Sequence, residues 1–350
     1  MRRGGSGDAA VNWHWRRRYN VCMKTNSKIM ATCAALAAFV ATANAQEKSI
    51  ADSYPSKAMR FIVPYAPGGP TDILARLLGQ KFTERWGQPV VVDNRAGANG
   101  AIGAEMLSKS PADGSVLFLG NTSILTINPA VYRRLPYDVE RHFQAVNLTV
   151  SAPLILAVHP STGVKTVRDM VALAKAPSAG LTFASSGTGG VSHMSGELMK
   201  VMAKIDLVHV PYKGAAPAAL NVITGECAMT FTSTVSVMPH VKSGRLRGVA
   251  VTTPKRDPLL PDIPAIAETL PGYDVSPWYG VLVPAGTPMP IVNKLHAEIS
   301  RIAQTPDLIQ RMAADGGTVV NYGPDAFAKI ILAERAKWAR VVKQTGFKAD

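Results

Sequence analysis

Cysteine is scarce in this chain, with only Cys22, Cys33 and Cys227 among 350 residues. Two of the three fall in the first 45 residues. That leaves Cys227 alone, excludes an internal disulfide in the remainder, and makes the fold depend on its apolar core. Aromatic residues form 7% of the chain and nowhere interleave with a basic stripe, so no nucleic-acid surface is expected. Metal signatures are missing too. His142, His159, His193, His209, His240 and His296 make no HExxH or comparable spacing, so neither a metal nor another cofactor is expected. No GxxxxGK[ST] follows any glycine cluster, and Gly97, Gly100 and Gly103 fall three apart, which fails GxGxxG. Ser192 and His193 are adjacent, and neighbours on a helix diverge. Their stretch "GGVSHM" also lacks the final glycine of a nucleophile elbow. The chain therefore reads as a non-enzyme, with a secreted hydrolase acting through Ser192 as the weakest alternative.

Long apolar runs are equally few, and the first one has a specific use. Lys24 and Lys28 precede an apolar stretch over 29–41, and Ala43-Asn44-Ala45 closes it with the small-x-small pattern of a signal-peptidase site. Residues 23–45 are expected to be a secretory signal cleaved near Ala45, with 1–22 an upstream extension. Whether translation starts at Met1 or Met23 stays open. Removing 1–45 takes away seven basic residues and one acidic residue, so the net charge of +14 falls to +8. A moderate excess of scattered Lys and Arg favours an anionic ligand.

What the chain does contain is a rhythm of strand, glycine turn and helix. Apolar strands are expected at 60–65, 90–93, within "SPADGSVLFLG", and at 152–158, 181–184, 207–210, 227–231, 246–251 and 279–283. The last seventy residues read as mainly helical. This alternation predicts an α/β fold with parallel sheets and right-handed crossovers. Ligands of such sheets bind beyond the carboxyl ends of the strands, where glycine turns feed helix N-termini.

Two turns of that kind stand out. In "VPYAPGGPTDILARLL", Gly68 and Gly69 precede Pro70 at the first helical position, and Asp72 falls in the first turn. In "ASSGTGGVSHMSGELMKVMA", Gly187, Gly189 and Gly190 alternate with the hydroxyls of Ser185, Ser186, Thr188 and Ser192. Free N–H groups at two such elbows would hold a small molecule with anionic ends. The plainer alternative, that the glycines only turn the chain, stays open at this level. Trp278 and Tyr279 are open between packing and lining a cleft.

From about Tyr54 onward the chain resembles the Bug family, the TctC-like extracytoplasmic receptors of tripartite tricarboxylate transporters. The resemblance rests on "FIVPYAPGGPTD", "VVDNRAGANGAIGAE", "FASSGTGGVSHMSGEL", "HVPYKGAAPA", "PHVKSGRLRGVAVT" and "LPDIPAIAETLPGYD", in that order. It implies a type II periplasmic-binding-protein fold, with a ligand cleft between two α/β domains. Domain 1 would be 46–147 plus 279–350, and domain 2 would be 148–278. It implies a periplasmic, monomeric receptor that binds a small di- or tricarboxylate or an aromatic acid without changing it. Its partners would be membrane transporter subunits, or a signalling protein if the receptor serves as a sensor. Carried over by motif, the ligand contacts would be Pro67, Gly68, Gly69, Thr71 and Asp72 on one side. Asn121, Thr122 and Ser123 would join them. Ser186, Gly187, Thr188, Gly189, Gly190, Ser192 and His193 would lie opposite. In the strand after "VPYKG", relatives often carry acidic residues where this chain has Ala228 and Thr232. Thr232 is therefore counted as a contact, and an amino-acid ligand is disfavoured.

Overall fold

The computed structural model describes residues 51–176 and 180–349. The expected signal segment, 23–45, lies outside them. Eleven strands divide between two sheets. The first has the order β11-β4-β10-β3-β1-β2 and the second β7-β6-β8-β5-β9.

In the first sheet, β1 (Met59–Val63) pairs in parallel with β2 (Val90–Asn94) and β3 (Val116–Asn121). The connection from β1 is α1 (Pro70–Trp86). Gly69 caps its start, Pro70 occupies its first position, and Gly87 ends it with φ 70°. Leu74, Leu78 and Phe82 recur at helical spacing and are fully buried, as the sequence predicts. The helix α2 (Ala101–Ser108) returns the chain to β3.

The expectation of parallel sheets needs correction, because both sheets are mixed. The strand β10 (Trp278–Pro284) runs antiparallel to both β3 and β4 (Phe143–Ser151). An outer strand, β11 (Thr318–Tyr322), runs antiparallel to β4. In the second sheet β6 (Thr182–Ser185) is parallel to β7 (Val208–Pro211) and β8 (Met229–Ser233). There β5 (Leu154–Val158) is antiparallel to β8 and to β9 (Arg247–Val251). The physical reason is the chain path. It leaves one sheet through β4, enters the other through β5, and returns through β10. The strands flanking these crossings therefore run against their neighbours.

The helices of the second lobe are α3 (Val167–Ala174), α4 (Val191–Ala203), α5 (Ala215–Ile223) and α6 (Thr234–Lys242). The first lobe is completed by α7 (Met289–Ile302), α8 (Pro306–Ala314) and α9 (Pro324–Thr345). The crossing segments are tied to each other, since the Ala152 N–H donates to the Pro277 carbonyl at 2.8 Å. The long helix α9 also serves both lobes. Phe327 and Ile331 pack in the core that holds Phe118, Leu148 and Trp278. Farther along the same helix, Trp338, Val341 and Val342 pack with Phe183, Met194 and Phe231.

Candidate functional site

A pocket of about 390 Å³ lies where the crossing segments meet both lobes. Ala152, Pro153, Pro277 and Trp278 line it from the crossings, Gly68, Asn121, Thr122 and Ser123 from the first lobe, and Val191, Ala215, Ser233 and Ser236 from the second. These residues are not a random sample of the surface. Pro70, Val191 and Ala215 are the first residues of α1, α4 and α5, and Val235 and Ser236 belong to the first turn of α6. Four helices of nine or more residues thus present their N-termini to one space. Each contributes unpaired N–H groups and the positive end of its dipole, and an anion is the natural occupant. Among the described residues no lysine or arginine lines the pocket.

The first elbow is built differently from its sequence reading. Asp72 is 3% exposed and folds back on its own loop. It accepts from the Gly68 N–H at 2.9 Å, from Arg76 Nε at 2.9 Å and from Asn94 Nδ2 at 3.0 Å. Burial alone would raise its carboxyl. The bonds from Arg76, Gly68 and Asn94 outweigh that and hold it below the usual carboxylate range. One of the N–H groups expected to be free is therefore taken, and Asp72 sets the shape of the loop. Thr71 is buried beside it, while Pro67 is exposed on the same loop.

The second elbow turns most of its amides inward. Ser192 is 2% exposed. Its Oγ donates to the Phe231 carbonyl and accepts from the Ser186 N–H at 3.4 Å. The Gly187 N–H donates to Ser185 Oγ at 3.3 Å, the Gly189 N–H to His193 Nδ1 at 3.1 Å, and the Gly190 N–H to the Gly187 carbonyl at 3.4 Å. Thr188 is exposed on this loop, and none of its residues from Ser186 to Gly190 lines the pocket. His193 is buried and stacked on His209 at 3.7 Å, with Nε2 3.6 Å from Glu197 Oε1. The elbow reaches the pocket only through Val191. Thr232 is buried in β8 and its hydroxyl has no partner among the described residues.

Asn121, Thr122 and Ser123 do come together at the pocket, at the end of β3. There the chain enters a π-helical turn, Ser123–Ile127. Asn121 is occupied, donating to Tyr65 Oη at 2.8 Å and accepting from the Ile124 N–H at 3.1 Å. Burial pushes the Tyr65 phenol up to about 12, so it stays neutral. Thr122 Oγ1 accepts from the Trp278 N–H at 3.0 Å. The Ser123 carbonyl accepts from the Asn128 N–H, while its hydroxyl makes no hydrogen bond to another described residue and is kept for the pocket.

Sequence reasoning missed the junction of β8 and α6. There Ser233 and Ser236 line the pocket and share a hydrogen bond of 2.7 Å. The signal was present, because "FTSTVS" repeats the order of strand, hydroxyls and helix start seen at the second elbow. Asp315 and Gly316, on the turn after α8, also line the pocket, and no local pattern marks them. Trp278 and Tyr279 do both things that were open. Trp278 is buried in the core with its Nε1 donating to Glu334 Oε2 at 3.2 Å, and both residues line the pocket.

Two mixed α/β lobes around a pocket at their crossings define a periplasmic-type solute-binding receptor of the type II fold. Comparison with known proteins places it more narrowly. Residues 74–347 match the family described as the tripartite tricarboxylate transporter family receptor, TctC, and the chain belongs to that family. It is 34% identical over 317 residues to protein BugT of Bordetella pertussis, covering 90% of this chain and 97% of that one. Among solved structures, Rpa4515 of R. palustris with adipate has 33% identity and a TM-score of 0.74, covering 84% of this chain and 99% of that one. MatC of Rhodopseudomonas palustris with bound malate has 30% identity and a TM-score of 0.70, covering 83% and 100%.

Proposed function

We propose that the chain is a periplasmic receptor that captures a small carboxylate between its lobes and delivers it, unchanged, to a membrane transporter of the tripartite tricarboxylate type. We take the lobes to be residues 55–151 with 278–349, and 154–251 with their flanking segments. The observation that carries the reading is the convergence of four helix N-termini on one pocket without a lysine or arginine. Such a site favours negative charge through fixed dipoles, and it leaves the hydroxyls of Ser123, Ser233 and Ser236 to orient the ligand. The adipate and malate bound by the two R. palustris receptors are carboxylates of suitable size.

The contacts proposed from the sequence are kept in two roles. Gly68, Gly69, Thr122 and Ser123 would meet the ligand. Asp72, Ser192 and His193 would hold the elbows in shape.

The test is a thermal-shift screen of the purified protein against mono-, di- and tricarboxylates and aromatic acids, followed by calorimetry. A carboxylate that binds only the folded state raises its stability by about 2.7 kcal/mol at a hundredfold excess over Kd. At least one member of the panel is expected to do so. A panel without any shift would sink the proposal.

A further inference from the structure

The pocket contains one feature that an anion site does not call for, a carboxylate of its own. Asp315 lines it from the turn between α8 and β11. Its side chain is 23% exposed, and its Oδ2 is buried with no hydrogen-bond donor among the described residues. The nearest cation is Arg311, one helical turn earlier, with Nε 4.0 Å from Oδ2 and a side chain 54% exposed. That distance is outside hydrogen-bond range. The backbone of Asp315 closes α8, its N–H donating to the Arg311 and Met312 carbonyls, and this needs no carboxylate. Nearby, Tyr279 also lines the pocket, and its hydroxyl makes no hydrogen bond to another described residue. Burial, with the charge of Asp315 adding to it, pushes that phenol up to about 12, so it stays neutral.

The accessible part of this carboxylate lines the pocket with no donor among the described residues, and there a ligand is the group that supplies one. A second ionised carboxylate on the ligand would meet Asp315 as a like charge. A ligand ammonium would satisfy Asp315 but would sit among four positive helix ends, with Arg311 already offsetting the acidic charge. A neutral hydroxyl avoids both penalties, since it donates to Asp315 and can accept from Tyr279 or Ser123.

We propose that Asp315 sets the specificity of the pocket for a hydroxylated monocarboxylate, whose carboxylate faces the helix N-termini and whose hydroxyl donates to Asp315. This rests on the carboxylate-receptor reading above and narrows it.

The experiment is calorimetric titration of the purified protein, and of its Asp315→Asn and Asp315→Ser variants, with two series of probes. One series is adipate, its ω-hydroxy and ω-amino monocarboxylate analogues, and hexanoate. The other is the matching four-carbon set from succinate. In the wild type the hydroxy acid of the better-fitting length is expected to bind at least about tenfold tighter than the dicarboxylate, the amino acid and the unsubstituted acid. Asp315→Asn is expected to reverse the order of hydroxy acid and dicarboxylate, and Asp315→Ser to weaken the hydroxy acid about tenfold. Melting temperatures of the ligand-free variants report whether they fold. A dicarboxylate that binds wild type and Asp315→Asn equally well overturns the proposal while leaving the carboxylate reading intact. So does an ammonium analogue that binds best. Failure of every carboxylate to bind any of the three folded proteins overturns both.

Discussion

A single histidine shows how the support beneath the site responds to acid. His209 is half-buried, its Nε2 lies 2.6 Å from Ser185 Oγ, and its ring stacks on His193. Burial, with the neighbouring His193 adding to it, pushes its pKa from 6.5 down to about 4. The folded state therefore binds fewer protons here than the unfolded chain. The contribution is fully present above pH 6.5 and is lost as the pH falls through about 4. Melting temperature should decline between pH 6.5 and 4, and a His209→Gln variant should show a shallower decline over the same window. Equal slopes in differential scanning calorimetry would contradict this. Carboxylates such as Asp72 and Asp113, held below their usual range, account for losses at still lower pH.

At the scale of elements, the first elbow is a strand–loop–helix unit whose geometry depends on one buried carboxylate. Asp72→Ala removes the acceptor for Gly68, Arg76 and Asn94 together. It should cost about 1–3 kcal/mol, read from the urea midpoint at unchanged m-value. Most of the strands were legible from apolar runs and glycine turns, eight of them within two residues and β3 as a strand ending "SPADGSVLFLG". Two were not. In β4, Asn147 and Thr149 are fully buried and interrupt the apolar pattern, because Asn147 is satisfied by His296 and Asn321 and Thr149 by Asn147. In β11, an edge strand with Asn321 and Tyr322 exposed, the pattern is too weak to separate from the helices around it. Of the residues that line the pocket, Gly68 was marked by its own glycine turn and Asn121–Ser123 by the family resemblance. The site was hidden where amides find their own partners, as at Gly187–Gly190, or where a residue such as Asp315 arrives from distant chain.

Across the whole molecule, the lobes touch where the turn after α8 meets the start of α6. Gly316 has φ 72°, and a Cβ added there would lie 2.1 Å from Thr234 Oγ1 and 3.0 Å from Val235 Cγ2. A side chain at this position strains its own backbone and also wedges the lobes apart. With the ligand captured between the lobes as proposed, hinge closure would make this contact part of the binding equilibrium. Gly316→Ala should weaken the best carboxylate of the panel by about tenfold or more, given a few kcal/mol of strain and clash. Small-angle X-ray scattering should then show less contraction on adding ligand than in the wild type. Unchanged affinity and equal contraction would show that the observed contact does not belong to the bound state.

The helix α9 has a consequence of another kind. Its first half is buried with Phe118 and Trp278, and its second half with Phe183 and Phe231. Neither lobe can melt without stripping apolar cover from the other. The pair should lose its structure in one cooperative transition, despite having two separate sheets. Such shared cover gives the two lobes a single, undivided reserve against unfolding.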